Sequence, residues 1–209
     1  MKNKAKSAGA VLAGLITIGA LAFEANSQSE VKKFVTQDEQ KSQTKDLVVT
    51  RNFDAPVAEV WKYWAESEYV KKWWSPTGFT TPLARMDFRE GGTSLVCMRS
   101  PDGKDIYSIW TYRKIAPLEL IEFIHNLADK DGNKADPIKV GLPPDFPPDI
   151  RNVIAFKAVG DNKTEMTVTE YGYTSDQWYN LSKTGLEQCL DKMAAALGGK
   201  HERKEDRQK

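Results

Sequence analysis

The chain is poor in the residues that build metal and redox sites: two cysteines, Cys97 and Cys189, and two histidines, His125 and His201, in 209 residues. The cysteines are far apart and in no C-x-x-C pair, and nothing has the spacing of a zinc ligand set, so no structural metal is expected. An excess of charge of one sign is also lacking. With 30 basic against 29 acidic residues the net charge is +1, and without an evidently basic face the electrostatic footprint of a nucleic-acid partner is missing. No nucleophile elbow, phosphate loop or dinucleotide fingerprint occurs, so the chemistry those motifs announce is not expected, nor is a cofactor.

Only one long apolar run exists. Ala8 to Phe23 carries no charge and has Thr17 as its one conventional polar residue; Lys2, Lys4 and Lys6 precede it, and small-residue sites follow at Ala20-Leu21-Ala22 and Ala25-Asn26-Ser27. That order is the pattern of an export signal, here residues 1–22. A spanning helix needs about 20 apolar residues, so cleavage and an exported (periplasmic or extracellular) protein are expected. The alternative is an anchor made by residues 8–23, which would hold the chain at a membrane. No cysteine stands at the cleavage region, so a lipid anchor is not indicated. Cleavage would remove three lysines and no acidic residue, leaving a mildly acidic protein. Residues 23–45 are rich in Gln, Ser, Lys and Glu and read as a disordered linker, because such a segment cannot offset its ordering entropy. Residues 200–209 read as a charged, solvated tail. The folded domain is expected at 46–199.

Within it, the strongest pattern is a long amphipathic helix from Thr174 to Gly199. Thr174 with Gln177 has the form of a capping box, and Gly198-Gly199 suits the far end. Trp178, Leu186, Cys189, Leu190, Met193, Ala196 and Leu197 fall on one arc of roughly 120°. At about 1.5 Å per residue the helix spans roughly 34 Å, a length that calls for a broad sheet as its partner. Ser182 and Gly185 lie in the same arc with almost no side chain, so the helix meets its sheet with a notch.

Ahead of the helix, Leu47–Phe53 has the β-branched content of a first strand. Asp54-Ala55-Pro56 stops it and opens a helix with Val57, Val60, Trp61 and Trp64 on one face. Ser67 begins a second short helix ending in Trp73-Trp74. Adjacent tryptophans cannot share a helix face, so one of the two is a candidate for a pocket rim. Strands follow at 79–88, 93–99, 106–115, 118–126, 152–159 and 164–171, joined mostly by short turns that favour an antiparallel meander. Residues 128–150 are the exception. Pro143-Pro144 and Pro147-Pro148 leave no room for regular structure there, and a loop of that length reads as a stiff cavity lid, with a Pro-rich ligand for a partner domain as the alternative.

Taken together, Arg51-x-Phe53-x-Ala55-Pro56, Trp73-Trp74-x-Pro76, Gly91-Gly92, Met98 before Pro101-Asp102-Gly103, Tyr112-x-x-Ile115-x-Pro117, Asp129-x-Asp131-Gly132-Asn133, Lys163-Thr164 and Gly185 resemble the AHSA-like branch of the START, or birch-pollen-allergen-like, SRPBCC superfamily. The resemblance implies an α+β helix-grip fold: a curved antiparallel sheet of about seven strands around the long C-terminal helix, two short helices after the first strand, and a cavity between. Two departures, Leu186 where a tryptophan is common and Ser94 where an aromatic is common, remove bulk that would point toward the sheet.

A small hydrophobic ligand carried without catalysis is therefore the expected function, its cavity lined by Trp61, Trp64 and Trp74 from the helices and Phe79, Met98 and Trp110 from the first strands. Phe123, Phe156 and Met166 would complete the sheet side, and Leu186 and Met193 the helix side. An enzyme in the same cavity, cyclase- or hydrolase-like, would need a convergent polar pair, for which His125 and Glu170 are the candidates if both face inward; the plainer reading of each is a rim residue in water. The family name also raises a chaperone ATPase activator, against which the export signal argues. Alternation after Gly91-Gly92 puts Ser94, Val96 and Met98 on one face of a strand and Leu95 and Cys97 on the other. With Cys189 facing the sheet from the last helix, the two cysteines are expected as free thiols.

Overall fold

Seven strands pair in one sheet: β1 (Lys45–Phe53), β2 (Thr80–Arg85), β3 (Thr93–Arg99), β4 (Asp105–Ala116), β5 (Leu120–Ala128), β6 (Ile150–Ala158) and β7 (Thr164–Tyr173). A computed structural model describes residues 44–198. The expected signal, nearly all of the linker and the charged tail lie outside these residues. The strands run in the order β1-β7-β6-β5-β4-β3-β2, every neighbouring pair antiparallel. This is a meander from β2 to β7 with the first strand added beside the last. Helices α1 (Val57–Ala65) and α2 (Ser67–Trp73) separate β1 from β2, and α3 (Asp176–Ala196) follows β7. The sheet curves around α3, so the architecture is the α+β helix-grip. No described helix is long and apolar enough to cross a membrane.

Local chemistry sets the boundaries. Pro56 supplies the helical φ of −57° and its carbonyl accepts from the Val60 N–H at 3.2 Å, so α1 starts at once. The last helix begins one residue later than the expected capping box. Ser175 is its cap, accepting the Trp178 N–H at 3.4 Å, while the Thr174 hydroxyl turns away to the carbonyl of Asp145 at 3.3 Å. β2 stops at Arg85 instead of Phe88, and a turn closed by the Arg89 N–H on the Asp87 carbonyl takes over. The loop 129–149 holds one regular piece, the single 3-10 turn Ile138–Val140.

Strand β7 contains an irregularity that matters later. Thr164, Met166, Val168 and Glu170 alternate as buried residues facing α3. Between Glu170 and Tyr173 the strand gains one residue relative to β1, where Lys45 pairs Tyr173 but Leu47 pairs Glu170. Gly172, at φ +94°, absorbs that extra residue. Such a bulge restores Tyr173 to the face that carries Glu170.

The core is unevenly filled. Toward α1 and α2, the Trp64 ring lies 4.7 Å from Trp73, 6.0 Å from Trp110 and 6.3 Å from Phe123, and Trp110 stacks on Phe123 at 5.0 Å. The indole N–H of Trp64 meets the Met166 sulfur at 3.2 Å, and that of Trp73 donates to the Tyr63 carbonyl at 2.7 Å. Here α3 is also fastened: Arg51 pairs with Asp191 at 3.1 Å, Lys192 donates to the Ser75 hydroxyl at 2.6 Å, and the Tyr63 hydroxyl donates to the Ala196 carbonyl at 2.9 Å. Every buried residue of α3 (Leu186, Cys189, Leu190, Met193, Ala194) lies in its second half.

Candidate functional site

Under the first half of α3 the layers do not close, and a cavity of about 510 Å³ remains. Its roof is Trp178, Ser182, Gly185 and Leu186 of α3; its floor is Met98, Ile106, His125, Ile150 and Glu170 from five successive strands. Trp74 and Phe79 form the inner end, and Phe146 and Pro147 of the loop 129–149 the outer end. The walls are overwhelmingly apolar, as ligand sites for small molecules usually are.

The notch in α3 exists as read from the sequence. A Cβ built on Gly185 would meet nothing within 4 Å, so the helix presents bare backbone to the space. Ser94 does not contribute to it. Its hydroxyl accepts the Asp87 N–H at 3.0 Å and bonds the Tyr112 hydroxyl at 3.0 Å, and the Tyr112 ring with Phe88 fills the volume that the small side chain leaves.

Of the eleven residues expected in the lining, Trp74, Phe79, Met98 and Leu186 are in the wall. The other seven lie elsewhere: Trp64, Trp110, Phe123, Met166 and Met193 are sealed in the filled end of the core, while Trp61 and Phe156 face each other at 5.1 Å beside Phe88. Helices α1 and α2 cover that end of the sheet, so large rings there pack on one another and leave no space. Trp73 is fully buried and Trp74 is the member of the pair that reaches the cavity.

His125 and Glu170 both face inward, and neither is a rim residue in water. They do not form an acid/base pair. His125 pairs with Ile150 and Glu170 with Asn152 on the intervening β6, so their backbones stand at least about 10 Å apart at two inter-strand spacings. The His125 ring is half-buried in the cavity wall, with Trp74 edge-on at 6.1 Å, and its buried Nε2 has no partner. Burial lowers its pKa to about 4, which leaves it neutral near pH 7.

Glu170 has other partners, which the sequence reading missed in this role. Tyr173 and Ser182 both place a hydroxyl on its Oε2, the serine at 2.6 Å, and these two hydroxyls are 2.6 Å from each other. Burial pushes the Glu170 carboxyl above the usual carboxylate range against the opposing effect of the two hydroxyls, and the Tyr173 phenol is pushed up by burial and by Glu170. The signal that could have found Tyr173 is Gly172: a glycine inside a strand pattern marks a bulge, and a bulge reverses the alternation after it.

The loop 129–149 is tied at both ends. Asp129 accepts the N–H groups of Asp131 and Asn133 at 2.9 Å each, Asn126 donates to the Pro148 carbonyl at 2.7 Å, and Lys134 pairs with Asp149 at 2.6 Å. Its Phe146 ring packs edge-on against Trp178 at 4.9 Å. Both cysteines are free: Cys189 sits in the cavity wall, its thiol pushed up to about 12 by burial, while Cys97 lies on the outer face of β3. Among the described residues no group of three or more His, Cys, Asp or Glu side chains is placed to hold a metal.

Comparison with known proteins follows the same line. Residues 54–198 match the family model described as "Activator of Hsp90 ATPase homolog 1-like protein". Among solved structures, a protein of Mycobacterium smegmatis is similar at 23% identity and a TM-score of 0.60, covering 78% of this chain and 96% of its own. A protein of Arthrobacter aurescens is similar at 22% identity and a TM-score of 0.59, covering 73% and 86%. The AHSA1 protein of Silicibacter pomeroyi is similar at 17% identity and a TM-score of 0.60, covering 74% and 98%. No curated protein matches. At these identities the likeness is one of fold, and a fold does not by itself name a function.

Proposed function

The chain belongs to the Activator of Hsp90 ATPase homolog 1-like family, and from that membership and the hollow under α3 we propose that it binds and carries a small, mostly apolar molecule. The observation that supports this most directly is the bare helix face at Gly185 above a 510 Å³ space. Protein interiors are close-packed, and leaving such a volume empty forfeits dispersion contacts. A fold selected only for stability would fill it with larger side chains. The basic start and the short apolar run of residues 8–23 support export as the setting, which N-terminal sequencing of the protein from its host would decide; a mature chain beginning at Met1 in the cytoplasm rejects export.

The test of carriage combines native mass spectrometry, looking for a co-purifying small molecule, with uptake of the apolar fluorophore N-phenyl-1-naphthylamine. Leu186→Trp is the informative variant, because Leu186 bounds both the core and the cavity. It is expected to weaken uptake while stability holds or rises slightly. Destabilisation by about 1 to 3 kcal/mol, the usual cost of overpacking, would mean that the space is already full.

A further inference from the structure

Resting on the carriage reading, we infer that the cavity selects an uncharged ligand whose polar end is a hydroxyl, and that Glu170, held by Tyr173 and Ser182, reads that end. The first observation is the make-up of the wall. It contains no Lys, Arg or Asp; its titratable members are Glu170, His125, Tyr173 and Cys189, and none of them makes a salt bridge. The nearby cation Lys192 spends its ammonium on the Ser75 hydroxyl and the Phe79 carbonyl. A carboxylate ligand would thus lose its hydration with no cation in the wall to meet it, and an ammonium would have Glu170 as its one acidic partner.

A second observation fixes the polar end. Three oxygens, Glu170 Oε2, Tyr173 OH and Ser182 Oγ, make three mutual contacts at hydrogen-bond distance. Two hydroxyls bring two hydrogens, enough for both to bond Oε2, and a proton on the carboxyl would let all three contacts be hydrogen bonds. Burial acts in the same direction by raising the Glu170 pKa. With Oε2 committed to the ring, Oε1 is left as a carbonyl-like acceptor on a residue of the cavity wall. The indole nitrogens of Trp74 and Trp178 and His125 Nε2 also lack partners, but they are sealed within the wall, so they offer no ready cradle for an anion. A hydroxyl donating to Glu170 Oε1 suits this site; a fatty carboxylate does not.

The two protonation states of Glu170 predict opposite preferences, which makes the test decisive. N-phenyl-1-naphthylamine bound to the full chain at pH 7 is displaced by 1-dodecanol below its solubility limit, or by dodecylammonium or laurate below their micellar concentrations. Dodecanol is expected to displace it at a concentration at least about tenfold below either ion, since tenfold needs only about 1.4 kcal/mol of the desolvation difference. Glu170→Leu should weaken dodecanol about three- to tenfold, the worth of one hydrogen bond, and Glu170→Gln, which returns a neutral carbonyl, should recover most of that. Dodecylammonium equal to or better than dodecanol would make Glu170 a counter-ion, and laurate equal or better would reveal an anion site; either overturns the inference and leaves carriage standing. Equal displacement by all three does the same. If the fluorophore does not bind at all, carriage fails and this inference fails with it. The wild-type order alone decides, whether or not a variant folds.

Discussion

The two halves of α3 face the same sheet and end in opposite states. From Leu186 onward the helix is buried against a solid of aromatic rings and tied down by Arg51, Ser75 and Tyr63. Before Leu186 it has no fully buried residue and roofs a cavity, with Ser182 as its contact to the polar corner of Glu170 and Tyr173. Part of the difference is in the helix, whose first half carries Trp178 and Leu181 but interrupts the apolar arc with Ser182 and Gly185. The rest lies in what the sheet sends up to meet the helix. Opposite the second half stand Trp64, Trp110 and Phe123; opposite the first half the strands offer His125, Ile150 and Glu170, and no short helix covers them. One half supplies the stability that the other leaves unused.

If that division is right, truncating a ring should cost far more at the solid end. Trp64→Ala is expected to lose about 3 to 5 kcal/mol in urea denaturation, the usual range for a buried aromatic, against less than about 1 kcal/mol for Trp178→Ala, which is only partly buried. Comparable losses would erase the contrast.

The hollow end should instead announce itself through pH. His125 titrates near 4 in the fold and near 6.5 in an unfolded chain. Between those values the unfolded chain binds the extra proton. The contribution is therefore complete above about pH 6.5 and lost as pH falls toward 4, amounting to about 2 to 3 kcal/mol. Glu170 has the opposite sign: its raised value favours the fold at low pH, and that contribution is lost as pH rises through the folded pKa. Denaturation midpoints of His125→Phe at pH 4.5 and 7 should differ by clearly less than those of wild type. An unchanged acid slope would place the titrating group elsewhere.

At the notch itself the effect should be small and favourable. Gly185→Ala adds a methyl that meets nothing within 4 Å and removes the entropic cost of a mid-helix glycine, so a gain of about 0.5 to 1 kcal/mol in stability is expected. A loss, read from thermal unfolding, would show that the space closes in solution. Smallest of all should be the response to oxidant. Cys97 and Cys189 point to opposite sides of the sheet, and the mass of the oxidised protein should show no internal disulfide.

Much of this was legible from local pattern. Pro56 after a β-branched run and the glycines between strands report their own surroundings, and β3 at Thr93–Arg99 came out residue for residue. The cavity was legible from Gly185 and Ser182, because an apolar arc interrupted by missing side chains implies a gap. Which rings border the gap was not. Trp64 and Trp74 look alike in sequence, and only the way α1 meets β6 and α2 meets β2 decides that one is sealed and the other faces the space. Ser94 misled for a related reason, since Tyr112 on the adjacent strand occupies its vacancy. The acid/base pairing of His125 with Glu170 failed on distance across β6, and Tyr173 was hidden by one residue of register.

Trp74 occupies the boundary between the two ends: its ring is 5.3 Å from Trp73 and 4.6 Å from Trp110, and its other side is cavity wall. Excited-state energy passes readily between indoles at such separations, so light absorbed anywhere in the tryptophan cluster can reach the member of that cluster that borders the cavity. The protein therefore carries its own optical gauge of whether the cavity is full.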